Sequence, residues 1–126
     1  MVALRGARSC LKQLKAAGFT IAVCSNWGWD LAADIADTGL LEYVDYPVPS
    51  AQVGWRKPDP RIYWSVLALA GCAAQDAVFV GDSLRTDVLG PQSAGIRSFL
   101  RAPATGGDVR GEAISSLYAL PRLLSG

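Results

Sequence analysis

Two acids five residues apart close the segment Val78-Phe79-Val80-Gly81-Asp82-Ser83-Leu84-Arg85-Thr86-Asp87. Its apolar, β-branched run stops at Gly81, which predicts a buried strand with Asp82 at its C-terminal end and a helix beginning at Asp87. A carboxylate at such an edge is partly desolvated, which is costly unless a cation compensates. Mg²⁺ suits that position, because it takes one or two carboxylates plus water and phosphate oxygens. Asp87, in a first helical turn, is also favoured by the macrodipole. The same acids, taken alone, read equally well as a turn residue and a helix-start residue. Ser25 follows the apolar run Phe19 to Cys24. Its hydroxyl, with nearby backbone N–H groups, can hold a phosphoryl oxygen or simply cap the strand end. Lys57 precedes Pro58-Asp59-Pro60, which fixes its loop, and a held ammonium offsets repulsion between carboxylates and a phosphate. A solvated loop lysine is the plainer alternative.

The elements that must position these residues follow from periodicity and punctuation. Ala7, Leu11, Leu14 and Ala17 recur at helical spacing, and Gly18 suits a left-handed cap. Phe19 to Cys24 reads as a buried strand ending at Ser25-Asn26. Asp30 is placed to cap a short helix that Gly39 ends. Tyr43 to Val48 is a weaker strand, cut off by Pro47 and Pro49. Asp59-Pro60 is a helix start, with an acid at the N-cap and proline in the first helical position. That helix carries Ile62, Val66 and Leu69 on one face and ends near Gly71. Strand Val78 to Val80, helix Asp87 to Ala94, Gly95 and strand Ile96 to Leu100 come next. Ala102 to Gly111 is a Pro- and Gly-rich loop, and Leu117 to Leu124 is a short helix. Strands joined by helices in this way run parallel with right-handed crossovers, and ligands bind beyond their carboxyl ends. The expectation is one α/β domain over residues 1–126, a Rossmann-like three-layer sandwich with a parallel sheet of about four strands.

Composition removes several classes of function. The 126 residues carry 12 Lys plus Arg against 11 Asp plus Glu, so no basic stripe argues for nucleic acid. There is no histidine, which rules out Ser-His-Asp triads, Cys-His dyads and His-based metal sites. Cys10, Cys24 and Cys72 are odd in number and sit in apolar runs, as small core residues of a reducing compartment do. No apolar run reaches membrane length, and charges interrupt the N-terminus, so no membrane and a cytoplasmic location are expected. Trp27, Trp29, Trp55 and Trp64 are expected in the core or in a cleft wall. Asp30, Asp34 and Asp37 are expected to form a solvated face.

Taken together, Cys24-Ser25-Asn26-Trp27, Gly54-Trp55-Arg56-Lys57-Pro58-Asp59-Pro60-Arg61-Ile62-Tyr63 and Phe79-Val80-Gly81-Asp82-Ser83 with Asp87 and Ala94-Gly95 resemble the second, third and fourth motifs of the haloacid dehalogenase-like (HAD) hydrolase superfamily. The resemblance implies an incomplete HAD core and Mg²⁺-dependent hydrolysis of a small phosphorylated substrate. It implies that Ser25 binds the phosphoryl group, with Asn26 shaping the same loop, and that Lys57 neutralises charge. Asp82 would ligate Mg²⁺, and Asp87 would support the metal or orient Lys57. Dehalogenating members commonly lack the acid at the Asp82 position, so its presence favours phosphate esters.

One element of the family pattern has no counterpart. The superfamily's nucleophile is the first acid of an Asp-x-Asp motif on a central strand, and this sequence contains no Asp-x-Asp. A chain without it is expected to be inactive alone. Such a chain would be the C-terminal part of an enzyme without first strand and cap, a non-catalytic interaction domain, or half of a split enzyme. A missing central strand forfeits roughly ten ladder bonds, on the order of 5–15 kcal/mol, about the stability of a whole domain. Three resolutions are expected: the strands Phe19–Cys24 and Val78–Val80 pair directly, a partner strand or a second copy fills the gap, or further chain does.

Overall fold

The computed structural model describes residues 7–101 and the strand Glu112–Ile114. Helix α1, Ala7–Ala16, buries Ala7, Cys10 and Leu14 and leaves its lysines outside. It ends where Gly18 takes φ 92°, a left-handed conformation that strains residues with a side chain, and the Phe19 N–H donates to Leu14 O. Strand β1, Ala22–Ser25, follows. Helix α2 spans Leu31–Asp37, but Asp30 makes no capping hydrogen bond. Its backbone, at φ −84° and ψ 11°, lacks the extended geometry a capping side chain needs.

Strand β2, Tyr46–Pro49, runs through both prolines instead of stopping at them. It pairs in parallel with β1, from Ala22 opposite Tyr46 to Ser25 opposite Pro49. The Tyr46 N–H donates to Ile21 O. In a parallel strand alternate residues bond to the same neighbour, so Pro47 and Pro49 share the opposite edge, where no donor is missed. Helix α3 is the single turn Ser50–Val53. Helix α4, Pro60–Ala70, begins as expected: the Asp59 side chain accepts from the Arg61 N–H, and Gly71 closes the helix at φ 65°. Its buried face is Ile62 and Tyr63, whereas Leu69 is exposed.

Strand β3, Val78–Gly81, leads into a π-helix over Leu84–Leu89 and then helix α5, Gly90–Ser93. The helix expected from Asp87 thus starts three residues earlier, with wide turns. Strand β4, Arg97–Arg101, pairs in parallel with β3, and the short strand β5, Glu112–Ile114, pairs in parallel with β4. Nothing in the sequence singled out β5. The helix expected over 117–124 lies outside the described residues.

The layering is α/β, as expected, but the strands form two sheets, β1-β2 and β3-β4-β5. Direct pairing of β1 with β3 does not occur. Apolar side chains of β3 alternate between two core clusters. Val78 and Val80 pack with Cys10, Leu14, Ile21 and Phe99 beneath α1. Phe79 packs with Ile62, Tyr63 and Ile96 beneath α4. Yet every residue of β1 and β3 is only half-buried, whereas Ser98, Phe99 and Leu100 of β4 are buried. The open space between the sheets accounts for this: a cavity of about 790 Å³ lies between β1 and β3, walled by α1 and α4. None of the described helices is long and apolar enough to cross a membrane.

Candidate active site

The carboxyl ends of β1 and β3 meet at Lys57. Asn26, just past β1, grips the Lys57 backbone from both sides: its Oδ1 accepts the Lys57 N–H at 2.7 Å and its Nδ2 donates to Lys57 O at 3.2 Å. That fixes the stem of the side chain. The ammonium donates to Asp87 Oδ1 at 2.7 Å, in an ion pair whose side chains are 13% and 8% exposed. It also lies 5.5 Å from the centre of the Phe79 ring. Burial makes such a pair rigid, because an unpartnered charge there would be costly.

Asp87 is held from its own element too. The π-helix carries it back over the end of β3, where Oδ2 accepts the Ser83 N–H at 3.1 Å. Gly81 makes room: a Cβ there would overlap the Asp87 carboxylate. Tyr63, reaching from α4, donates to Thr86 O at 2.6 Å and packs edge-on against Phe79. It lies so close to Gly90 that a Cβ there would overlap the ring. Ser83, Phe79 and Tyr63 are thus part of the support, and sequence reasoning did not single them out. The one signal was glycine, at 81 and 90, where a helix or strand former would otherwise serve.

Asn26, Lys57 and Asp87 therefore form one bonded chain. Ser25 ends β1 beside Asn26 and is half-buried. Asp82, one residue past β3, is exposed on the rim of the cavity and outside that chain. Cys24 lines the cavity, and burial pushes its thiol up to about 11, with Lys57 pulling it down and Asp87 raising it further. It is therefore a neutral thiol at ordinary pH and no nucleophile. A shallower pocket opens on the other side of Asn26, where Trp27, Ser50 and the exposed Arg56 are among its lining.

The tryptophans are a correction to the expectation of core packing, and only Trp27 lines one of these two pockets. Trp29 and Trp64 are 72% and 52% exposed, and Trp27 and Trp55 lie at the surface. Polar neighbours hold two of them: Trp27 Nε1 donates to Asp34 at 2.6 Å, and the Arg61 guanidinium lies 3.6 Å from the Trp55 ring centre.

Both oxygens of Asp87 are engaged, by Lys57 and by Ser83, so Asp82 is the carboxylate open to a cation. No group of three metal-ligating side chains exists among the described residues. A single open carboxylate is too few for a site built from side chains, but it fits Mg²⁺, which keeps most of its water and shares phosphate oxygens.

A parallel α/β core with a lysine–carboxylate pair at its carboxyl edge defines the class, and the comparisons agree. The chain belongs to the haloacid dehalogenase-like hydrolase family, whose model matches residues 1–100. It is 38% identical over 97 residues to human haloacid dehalogenase-like hydrolase domain-containing protein 3, covering 77% of this chain and 39% of that protein. It is 32% identical over 93 residues to phosphoserine phosphatase of Thermus thermophilus, covering 73% and 37%. Among solved structures, a HAD phosphatase from Thermococcus onnurineus superposes with TM-score 0.90 at 28% identity, covering 98% of this chain and 59% of that one. A 2-haloacid dehalogenase from Pseudomonas syringae superposes with TM-score 0.82 at 30% identity, covering 97% and 53%. The chain thus spans about two fifths of the length of these curated relatives.

Proposed function

We propose that this chain carries the phosphate- and metal-handling half of a Mg²⁺-dependent phosphomonoester hydrolase, and that the 126 residues alone do not turn substrate over. The observation that carries the reading is the Asn26–Lys57–Asp87 chain, which fixes an ammonium at the sheet edge where Ser25 ends β1 and the exposed Asp82 follows β3. Ser25 donates its hydroxyl to a phosphoryl oxygen, and Lys57 neutralises charge on the same group. Mg²⁺, held by Asp82, supplies further charge neutralisation when bound. Asp87 acts through Lys57 as a positioning residue. A phosphatase relative supports this reading, and the acid at position 82 favours it over dehalogenation.

Inactivity follows from the missing Asp-x-Asp, since removing the nucleophile of a cooperating set typically costs several orders of magnitude. Cys24 stays protonated and offers no substitute nucleophile. The test has two parts. Mn²⁺ as a paramagnetic probe should broaden the amide signals of Gly81 and Asp82, and Asp82→Asn should remove the effect. Hydrolysis of p-nitrophenyl phosphate with Mg²⁺ should stay at background. Unbroadened signals at Asp82, or turnover at the rate of intact phosphatases, would overturn the reading.

A further inference from the structure

The π-helix leaves one of its carbonyls without a main-chain donor. In an α-helix the Gly90 N–H would donate to Thr86 O, four residues back. Here it donates to Arg85 O, five residues back. At that wider spacing the donor for Thr86 O would come from position 91, which is Pro91 and has no N–H. The hydroxyl of Tyr63, on α4, fills the place and donates to Thr86 O at 2.6 Å. Its ring is 1% exposed, so an unpartnered carbonyl beneath it would be costly.

Two windings compete for that carbonyl. With the hydroxyl in place, Thr86 O is satisfied and the Gly90 N–H reaches back to Arg85. Without it, Thr86 O finds a donor when the Gly90 N–H swings over, while the carbonyl of the exposed Arg85 turns to water. That closes the turn by one residue and rotates the preceding segment by about 100° relative to α5. Asp87 turns with that segment, whereas Lys57 is fixed on another loop by Asn26. Their bond does not survive the rotation. Gly90 is fitted to the wide turn, since a Cβ there would overlap the Tyr63 hydroxyl. Burial, then the Cys24 thiol and the Asp87 carboxylate, push the phenol above its ordinary value, so it keeps its proton and remains a donor.

We infer that Tyr63 is a positioning residue of the site: its hydroxyl holds the turn at Thr86 wide and so keeps the Asp87 carboxylate on the Lys57 ammonium. The ring by itself packs edge-on against Phe79 and does not select between the two windings. What the ammonium serves rests on the phosphohydrolase reading, but where it sits does not. The Mn²⁺ experiment on Asp82 leaves Tyr63 untouched, so the two readings can fail separately.

The test is NMR spectroscopy of the full 126-residue chain, isotope-labelled. In the parent, the coupling across the Gly90 hydrogen bond should run to the Arg85 carbonyl. In Tyr63→Phe, which keeps the ring, it should move to the Thr86 carbonyl. The Lys57 ammonium protons should then exchange with water about tenfold faster or more, as expected for a lost charged hydrogen bond. The Lys15 ammonium, paired with Asp45 at 2.8 Å, and the amides of β4 serve as controls and should not change. Tyr63→4-aminophenylalanine retains a donor at the same place and should restore both parent signals, which general loosening of the core would not allow. Unchanged Lys57 exchange in a folded Tyr63→Phe chain would overturn the inference, as would a Gly90 coupling that stays on Arg85 or a 4-aminophenylalanine chain that behaves like the Phe variant. A parent coupling from Gly90 to Thr86 would overturn it without any variant.

Discussion

The Asn26 carboxamide closes a two-point grip on the backbone of Lys57, 31 residues away in the chain. Through it the loop after β1 decides where the ammonium of another loop sits. Asn26→Ala removes both bonds and leaves half-buried backbone groups to water, so a loss of about 1–3 kcal/mol in urea unfolding is expected. Crosspeaks of the 56–58 amides should shift, and those of β4 should not. A variant as stable as the parent would mean the grip is incidental.

The Lys57–Asp87 pair makes a second, steeper prediction. Either side chain alone is a buried charge, so Lys57→Met or Asp87→Asn should each cost about 3–5 kcal/mol. The double variant should cost much less than the sum, because the two losses share one interaction. A urea-unfolding double-mutant cycle reads the coupling directly. Additive losses would show that the ammonium and carboxylate are stabilised independently.

Much of this framework was legible because single residues punctuate it. Asp59-Pro60 marked the start of α4, and the Val78–Gly81 run marked β3, since each depends on local chemistry alone. What failed depended on neighbours. Pro47 and Pro49 read as strand breakers because sequence does not say which edge of β2 is bonded. The Trp side chains read as core or cleft-wall residues because bulk suggests packing, whereas Asp34 and Arg61 hold Trp27 and Trp55 at the surface. β5 is too short for a pattern to emerge. In the site, Lys57 and Asp87 stood out by type and spacing, but the Asn26 grip and the Ser83 and Tyr63 supports are long-range or backbone contacts that no spacing encodes.

Gly81 is required by proximity, not by an unusual backbone angle. Gly81→Ala puts a methyl where the Asp87 side chain lies. The carboxylate must move, and both its bonds with it. A loss of about 1–3 kcal/mol is expected from overpacking, and it should shrink in an Asp87→Ala background. An undiminished loss there would place the cost elsewhere in β3.

The Asp59 cap gives an acid-side prediction. The Arg61 guanidinium and backbone N–H hold its carboxyl down at about 2, against 3.8 ordinarily. A depressed folded value means the unfolded chain takes up protons first. The cap's contribution is therefore complete above about pH 4 and fades as pH falls toward 2. Asp59→Asn should flatten that part of the thermal-stability profile between pH 4 and 2, while leaving a capping side chain in place. An unchanged slope would assign the acid sensitivity to other carboxylates.

Cys24 reports the opposite end of the pH scale and the state of the cleft. Its thiol is raised from 9.0 to about 11 by burial, so the unfolded chain ionises first. Stability linked to this group is complete below pH 9 and declines as pH rises toward 11. Iodoacetamide should therefore label Cys24 slowly at pH 8 in the folded chain and readily in urea, with the folded rate climbing through pH 10 to 11. Cys24→Ser tests the stability half of the argument. It removes the titrating thiol at a position of similar size, and the alkaline decline should lessen. If Cys24 labels at pH 8 as fast folded as unfolded, the thiol is neither desolvated nor shielded, and the cleft beside β1 is more open to water than its apolar walls indicate.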